Sequence, residues 1–291
     1  MRYNPFLNGD ILKIKVILTG GTVGSNNQNG IIRNSPKNNV VDFWLEKNPC
    51  DIEFVSVMPY SILSENLTLE NWQMLINELQ KDYSAFDGII ITHGSDTLSY
   101  TSAMVAVYCK DFSIPVVLTG SDKVLSDKKA NGLPNFGKAV ELIRKNQIGV
   151  WTVFNEVYPS DSVCEADCFT DRFSLGSCTP IDFKPERNVA LKKRVLIIKE
   201  YPFADYDILT LTEDIKAVLL VGYHSGTANE KSVAKLAEKC KTNGVLLYLQ
   251  GLKRKSGIYS STDKIIKSGV KPLFDVTAEY AFAYLTFLIN L

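Results

Sequence analysis

The sequence predicts an α/β protein, with a doubly wound parallel sheet in its N-terminal part and a smaller α/β domain after it. Three observations carry this expectation. Short apolar runs alternate with helix-period segments along most of the 291 residues. Residues 88–91 are apolar throughout, as a parallel strand covered on both faces should be. Polar, Gly-containing turns follow one strand after another, at 19–22, 93–97 and 119–122, where open parallel sheets bind their ligands.

The elements follow in order. Residues 13–18 (KIKVIL) form a β-branched run ending at Thr19-Gly20-Gly21, and 52–57 form a second strand. Residues 68–81 carry apolar side chains at 69, 72, 75, 76 and 79, the spacing of one helix face. The strand at 88–91 runs into Thr92-His93-Gly94-Ser95-Asp96-Thr97, and a helix spans 98–109. A strand at 115–118 ends at Thr119-Gly120. A helix at 136–145 and a strand at 149–154 complete the set. The stretch from Thr22 to Pro36, rich in Asn26, Asn27, Asn29, Gly30 and Asn34, reads as a flexible loop. Residues 182–194 (DFKPERNVALKKR) are charged, contain a Pro and read as a linker. The expected domains are 1–181, carrying the site, and 195–291. The second holds strands at 195–199, 217–221 and 245–249. Its helices are expected at 230–241, 261–267 and 278–288, the last capped by Thr277 with Glu279 in its first turn.

Composition excludes several classes. The 32 Lys+Arg residues balance 32 Asp+Glu, so no nucleic-acid partner is expected. No apolar run approaches the roughly 18 residues of a membrane span. The first residues lack the unbroken apolar core of a signal peptide, which points to a cytoplasmic protein. Six Cys are scattered through the chain. The one cluster, Cys164, Cys168 and Cys178, offers either a zinc or redox site or three loop thiols. Without a second Cys pair or paired His it reads as thiols. With two His in all, a His-rich catalytic metal site is excluded and no metal is expected. Gly20-Gly21-Thr22-Val23-Gly24 does not fit G-x-G-x-x-G. Gly132-x4-Gly137-Lys138 has Ala139 where a phosphate loop needs a hydroxyl, so neither reads as a nucleotide site.

What remains is a set of hydroxyls and one carboxylate at strand ends: Thr19, Thr22, Ser95, Asp96, Thr97 and Thr119. A Ser or Thr hydroxyl needs an activator to act as a nucleophile. Gly20 and Gly21 allow close backbone approach and leave N–H groups for an oxyanion or carboxylate. The same hydroxyls also suit helix and turn caps, which is the reading preferred for Thr97 and Thr119.

At these residues the chain resembles the bacterial-type L-asparaginases. TGGTVG at 19–24 is similar to their TGGTI signature, and THGSDTLSYTSAM at 92–104 to their HGTDT motif and the helix after it. Residues 116–140, GYHSGTAN at 222–229 and DVTAEYAFAYLTFLI at 275–289 resemble further family segments in the same order. The likeness extends to the related amidotransferase component that acts on misacylated tRNA. It implies an asparaginase-like fold and an amidohydrolase that releases ammonia from a small amide or amino acid, with no cofactor. It assigns Thr22 and Ser95 as the two catalytic hydroxyls, with Gly21 and Gly94 among the substrate-binding residues. Asp96 would hold the substrate α-amino group and Ser64 its carboxylate, with Glu65 able to hold an ammonium. It also implies a homodimer or homotetramer.

Two departures accompany the likeness. The family keeps a Tyr in the loop after TGGT, whereas no Tyr occurs here between Thr22 and Tyr60. The family keeps a Lys after the strand equivalent to 149–154, whereas residues 155–171 contain none. Lys123 and Tyr158 are the candidate replacements. Besides asparagine hydrolysis, the sequence is compatible with the same fold acting on a different amide, or with a degenerate member that binds an amino acid or a protein partner.

Overall fold

The computed structural model describes residues 11–35 and 38–291, in two units that divide between Leu175 and Gly176. The first unit runs β1 (Leu12–Leu18), β2 (Ser25–Gln28), β3 (Ile31–Asn34), α1 (Val40–Leu45), β4 (Ile52–Val57), α2 (Leu69–Gln80) and β5 (Gly88–Thr92). It continues with α3 (Leu98–Tyr108), β6 (Pro115–Thr119), α4 (Gly132–Arg144), β7 (Gly149–Phe154), β8 (Glu156–Pro159), β9 (Val163–Cys164) and β10 (Ser174–Leu175). Its main sheet has the order β4-β1-β5-β6-β7-β8. All neighbours are parallel except β8, which folds back antiparallel on β7.

Alternation along β1 divides the core. Leu12, Ile14, Val16 and Leu18 pack with Val40, Val41 and Trp44 of α1 and with Phe136, Ala139 and Val140 of α4. Lys15 points the other way, towards the C-terminal end of α2. Helix α2 starts in a capping box between Thr68 and Asn71 and buries Trp72, Leu75, Ile76 and Leu79, the face that its spacing predicts.

Two expectations are corrected here. Residues 25–34 of the expected loop form an antiparallel hairpin, β2 with β3, that turns through Asn29 and Gly30 at positive φ, while Pro36 lies outside the described residues. Its strands, SNNQ and IIRN, are mostly polar or part-exposed, so no apolar run announces them. Helix α4 starts at Gly132, four residues before the expected 136. Pro134 sits in its first turn, where backbone N–H groups have no intrahelical acceptor to lose. In the first unit, α1, β8, β9 and β10 have no counterpart among the expected elements.

The second unit is β11 (Arg194–Lys199), β12 (Ile215–Val221), α5 (Glu230–Thr242), β13 (Leu246–Leu252), α6 (Ser260–Lys267), β14 (Lys271–Phe274) and α7 (Ala278–Leu288). Its four strands are parallel, in sequence order. Val218, Leu220, Leu247 and Leu249 pack with Val233, Leu236 and Cys240 of α5 and Ile265 of α6 in a core of their own. Residues 182–194, expected as a linker, lie inside this unit, where Asn290 Oδ1 accepts the backbone N–H groups of Lys192 and Lys193 at 2.8 Å. Among the described residues, no helix is long and apolar enough to cross a membrane.

Candidate active site

Three strand-end turns of the first unit are stitched together by backbone. Thr19 Oγ1 donates to Thr92 O at 2.7 Å, joining the ends of β1 and β5. Gly21 N donates to Ile62 O at 2.7 Å, and Ile62 N to Thr19 O at 3.1 Å. Gly21 has a φ of +75°, and a Cβ there would lie 2.4 Å from Gly94 Cα. A Cβ on Gly94 would in turn lie 2.5 Å from Ser64 Oγ. The two glycines let the Thr19-Gly20-Gly21-Thr22 turn, the His93-Gly94-Ser95-Asp96 turn and Ser64 touch, where any side chain would force them apart.

Thr22 follows at once, half-buried, at the start of a one-turn 3-10 helix ending at Gly24. Its hydroxyl makes no hydrogen bond among the described residues. Ser95, Asp96 and Thr97 form a similar turn ahead of α3. Thr97 Oγ1 donates to Ser64 O at 3.0 Å, tying this turn to the one formed by Ser64, Glu65 and Asn66.

His93 is a buried brace rather than a catalytic base. Trp72 Nε1–H donates to Thr101 Oγ1 at 3.1 Å, and Thr101 Oγ1 meets His93 Nε2 at 3.0 Å. His93 Nδ1 meets Gly94 O at 2.9 Å. The carbonyl can only accept, so Nδ1 carries the proton and Nε2 accepts from Thr101. Burial pushes the imidazole down to about 4, so it is neutral at pH 7.

The third turn is held from α4. Asn135 Nδ2 donates to Gly120 O at 3.0 Å and Asn155 N donates to Asn135 Oδ1 at 2.9 Å. Asp122 and Asn131 exchange backbone N–H to side-chain oxygen bonds at 2.8 and 3.0 Å. Lys138 Nζ donates to Asn155 O. Lys123 is exposed, and its backbone carbonyl accepts from Ser121 Oγ. Tyr158 directs its hydroxyl to Phe173 O at 3.4 Å, and no hydrogen bond joins either candidate replacement to Thr22 or Ser95 among the described residues.

Beside Ser95 opens a cavity of about 310 Å³. Asp96, Asp122, Asp167, Asp171 and Glu165 line it, with the edge-on rings of Phe154 and Phe173, whose centroids are 5.0 Å apart, as its apolar wall. Among the described residues, no lysine or arginine lines it. Partial burial, then the charges of Glu65 and Asp171, raise the Asp96 carboxyl above its ordinary range. Asp167 builds the wall that carries Asp171. Its Oδ1 accepts the N–H groups of Phe169 and Thr170 at 3.1 and 3.0 Å, and its carbonyl accepts Asp171 N at 2.9 Å. Asp171 takes a φ of +51°. It was not among the residues singled out in the sequence. The Asp167-x-x-Thr170 spacing, an Asx-type turn, is the one signal that could have located this wall.

The cavity also takes in Cys168, an exposed free thiol, whereas Cys164 is half-buried. No group of three or more His, Cys, Asp or Glu converges to hold a metal among the described residues.

A doubly wound sheet with glycine turns at its strand ends, followed by a second α/β unit, is the asparaginase-like fold. Residues 13–168, more than half of the chain, match the family described as Asparaginase, N-terminal, and the chain belongs to that family. Among curated proteins it is similar to a glutamyl-tRNA(Gln) amidotransferase component of Saccharolobus islandicus, 26% identical over 97% of this chain and 72% of that one. The corresponding amidotransferase component of Methanococcus vannielii is 25% identical over 97% and 76%. Among solved structures, L-asparaginase I of Vibrio cholerae superposes with a TM-score of 0.76 at 21% identity, over 97% of this chain and 93% of that one. The thermostable L-asparaginase of Thermococcus kodakarensis gives 0.76 at 20% identity, over 96% and 93%.

Proposed function

We propose that this protein is an amidohydrolase acting on an amide other than free asparagine, one that presents a cationic group and no carboxylate. The observation that carries this reading is the charge of the cavity beside Ser95. Among the described residues, Asp96 and Asp171 face it with no hydrogen-bond donor, Asp122 stands nearby, and no basic side chain lines it. Free asparagine carries an α-carboxylate beside its α-ammonium. A carboxylate-lined wall opposes the first and attracts the second, so it selects for net positive charge.

Thr22 is the proposed nucleophile and Ser95 the second hydroxyl, as the family likeness implies. The hydroxyl oxygen bonds to the amide carbon, the C–N bond breaks and ammonia leaves. Water then cleaves the ester and restores the hydroxyl. The hydroxyl proton passes to the leaving nitrogen, and Asp96 would hold the cationic group of the substrate, as the family likeness implies. Gly94, Ser64 and Glu65 shape the end that receives the ammonium.

A second reading, ligand binding without hydrolysis, is favoured by one observation: the Thr22 hydroxyl makes no hydrogen bond to a base among the described residues. Ammonia release from asparagine, glutamine, asparaginamide and lysinamide separates the two. The proposal expects kcat/KM for the cationic amides to exceed that for asparagine by roughly tenfold or more, with Thr22→Ala lowering it at least ~100-fold. A preference for asparagine would overturn it. Absence of ammonia from all four, with asparaginamide still binding by calorimetry, would establish the second reading.

A further inference from the structure

A second cavity of the first unit, about 530 Å³, lies over α1 and the first turns of α4 and shares no lining residue with the acidic one. Its floor is apolar: Trp44, Leu125, Leu133 and Pro134. Its rim carries Lys47 and Lys128, both exposed and neither in an ion pair among the described residues. Asp127 also lines it, with Oδ1 taken by the N–H of Lys129 at 2.8 Å.

Trp44 is the unusual member. It is 7% exposed, wedged edge-on against Phe54 and Phe136 at centroid distances of 5.9 and 5.7 Å. A tryptophan this buried ordinarily finds an acceptor for its indole N–H. Here the N–H has none among the described residues. It abuts Gly137, where a Cβ would lie 3.3 Å from Nε1. Glycine at that position, in the very segment that superficially resembles a phosphate loop, keeps the donor open towards the cavity. Asn48, whose Nδ2 donates to Trp44 O at 2.9 Å, and Ser126 add further polar groups at the rim.

We propose that this groove binds a small anion carried on a flat apolar body, the body lying on Trp44, Leu125 and Leu133, the anionic group meeting Lys47 and Lys128, and an acceptor atom taking the Trp44 N–H. The size falls within the usual range of ligand cavities. The pattern of an apolar floor with a few convergent donors is the one such sites share. Two unpaired lysines against one aspartate leave the rim positive, the sign opposite to that of the acidic cavity.

The test is an NMR titration of the full chain with 2-naphthoate. 2-Naphthamide serves as the neutral isostere and inorganic phosphate as the bare anion. The Trp44 indole N–H resonance is identified by its loss in Trp44→Phe. The expected result is a saturable shift of that resonance with 2-naphthoate. The Lys47→Glu/Lys128→Glu variant, altered only on the exposed rim, should weaken binding by roughly tenfold or more, and phosphate and 2-naphthamide should each bind weaker by a similar factor. An unmoved resonance at millimolar 2-naphthoate would overturn the proposal. So would equal affinity in the lysine variant, or binding of 2-naphthamide as tight as that of the acid.

Discussion

Asp96 stands where two demands meet. It belongs to the turn that carries Ser95, and it shares its surroundings with Glu65 and Asp171. Partial burial and then these two charges raise its pKa, so the folded state holds a proton there more tightly than the unfolded chain does. Stability therefore falls as pH rises through the folded pKa, and the penalty is complete above it. Asp96→Asn should raise the urea midpoint at pH 7 and leave it unchanged below the ordinary carboxylate range. An equal midpoint at pH 7 would contradict the crowding of carboxylates. At this scale much of the site was legible. Thr22, Ser95, Gly21, Gly94 and Ser64 sit in short motifs whose spacing is set by strand ends, and the structure places their turns in contact. Asp171 was not legible, because its place depends on a positive φ and on the hydrogen bonds of Asp167, which no periodicity records.

Helix α2 ends on a buried cation. Lys15 Nζ, on β1 and 4% exposed, donates to the carbonyls of Glu78 and Lys81 at 2.8 and 3.2 Å and pairs with Glu78 Oε1 at 2.7 Å. A cation suits the partial negative charge of a helix C-terminus. Burial alone would raise the Glu78 carboxyl, but hydrogen bonds and charge from Lys15 and Lys81 outweigh it and hold the pKa low. Lys15→Met should destabilise the fold by about 3 kcal/mol, since it leaves two carbonyls and one carboxylate oxygen of Glu78 without their donor, while Lys81 keeps the other oxygen. Lys13→Met, which breaks the exposed pair with Glu53, should stay within about 1 kcal/mol. Urea unfolding of both variants checks the contrast. Elements of this kind follow from the sequence when an apolar face drives them, as in α2 and β5. The hairpin of β2 and β3 escaped because polar strands carry no such face, and the start of α4 because Gly132-Leu133-Pro134-Asn135 also spells a turn.

At the scale of the molecule, each unit has its own sheet and its own core. In the second, Ile181 N donates to the Tyr280 hydroxyl at 3.1 Å and Asn290 anchors residues 192 and 193, so the segment ahead of β11 is tied to α7. The fragment 176–291 should fold by itself, with a mixed α/β circular-dichroism spectrum and a cooperative thermal transition. A spectrum of disordered chain would show that it leans on the first unit. The first unit also separates what is fixed from what can vary. The hydroxyl-bearing turns are locked by glycine contacts and by the Trp72-Thr101-His93 brace, while the acidic wall hangs on a short turn organised by one side chain, Asp167. Such a wall is an exchangeable cassette. On the proposed reading, descendants of this chain would change diet by rewriting a few letters between Glu165 and Arg172, and leave untouched the machinery that has to be right for the chain to fold.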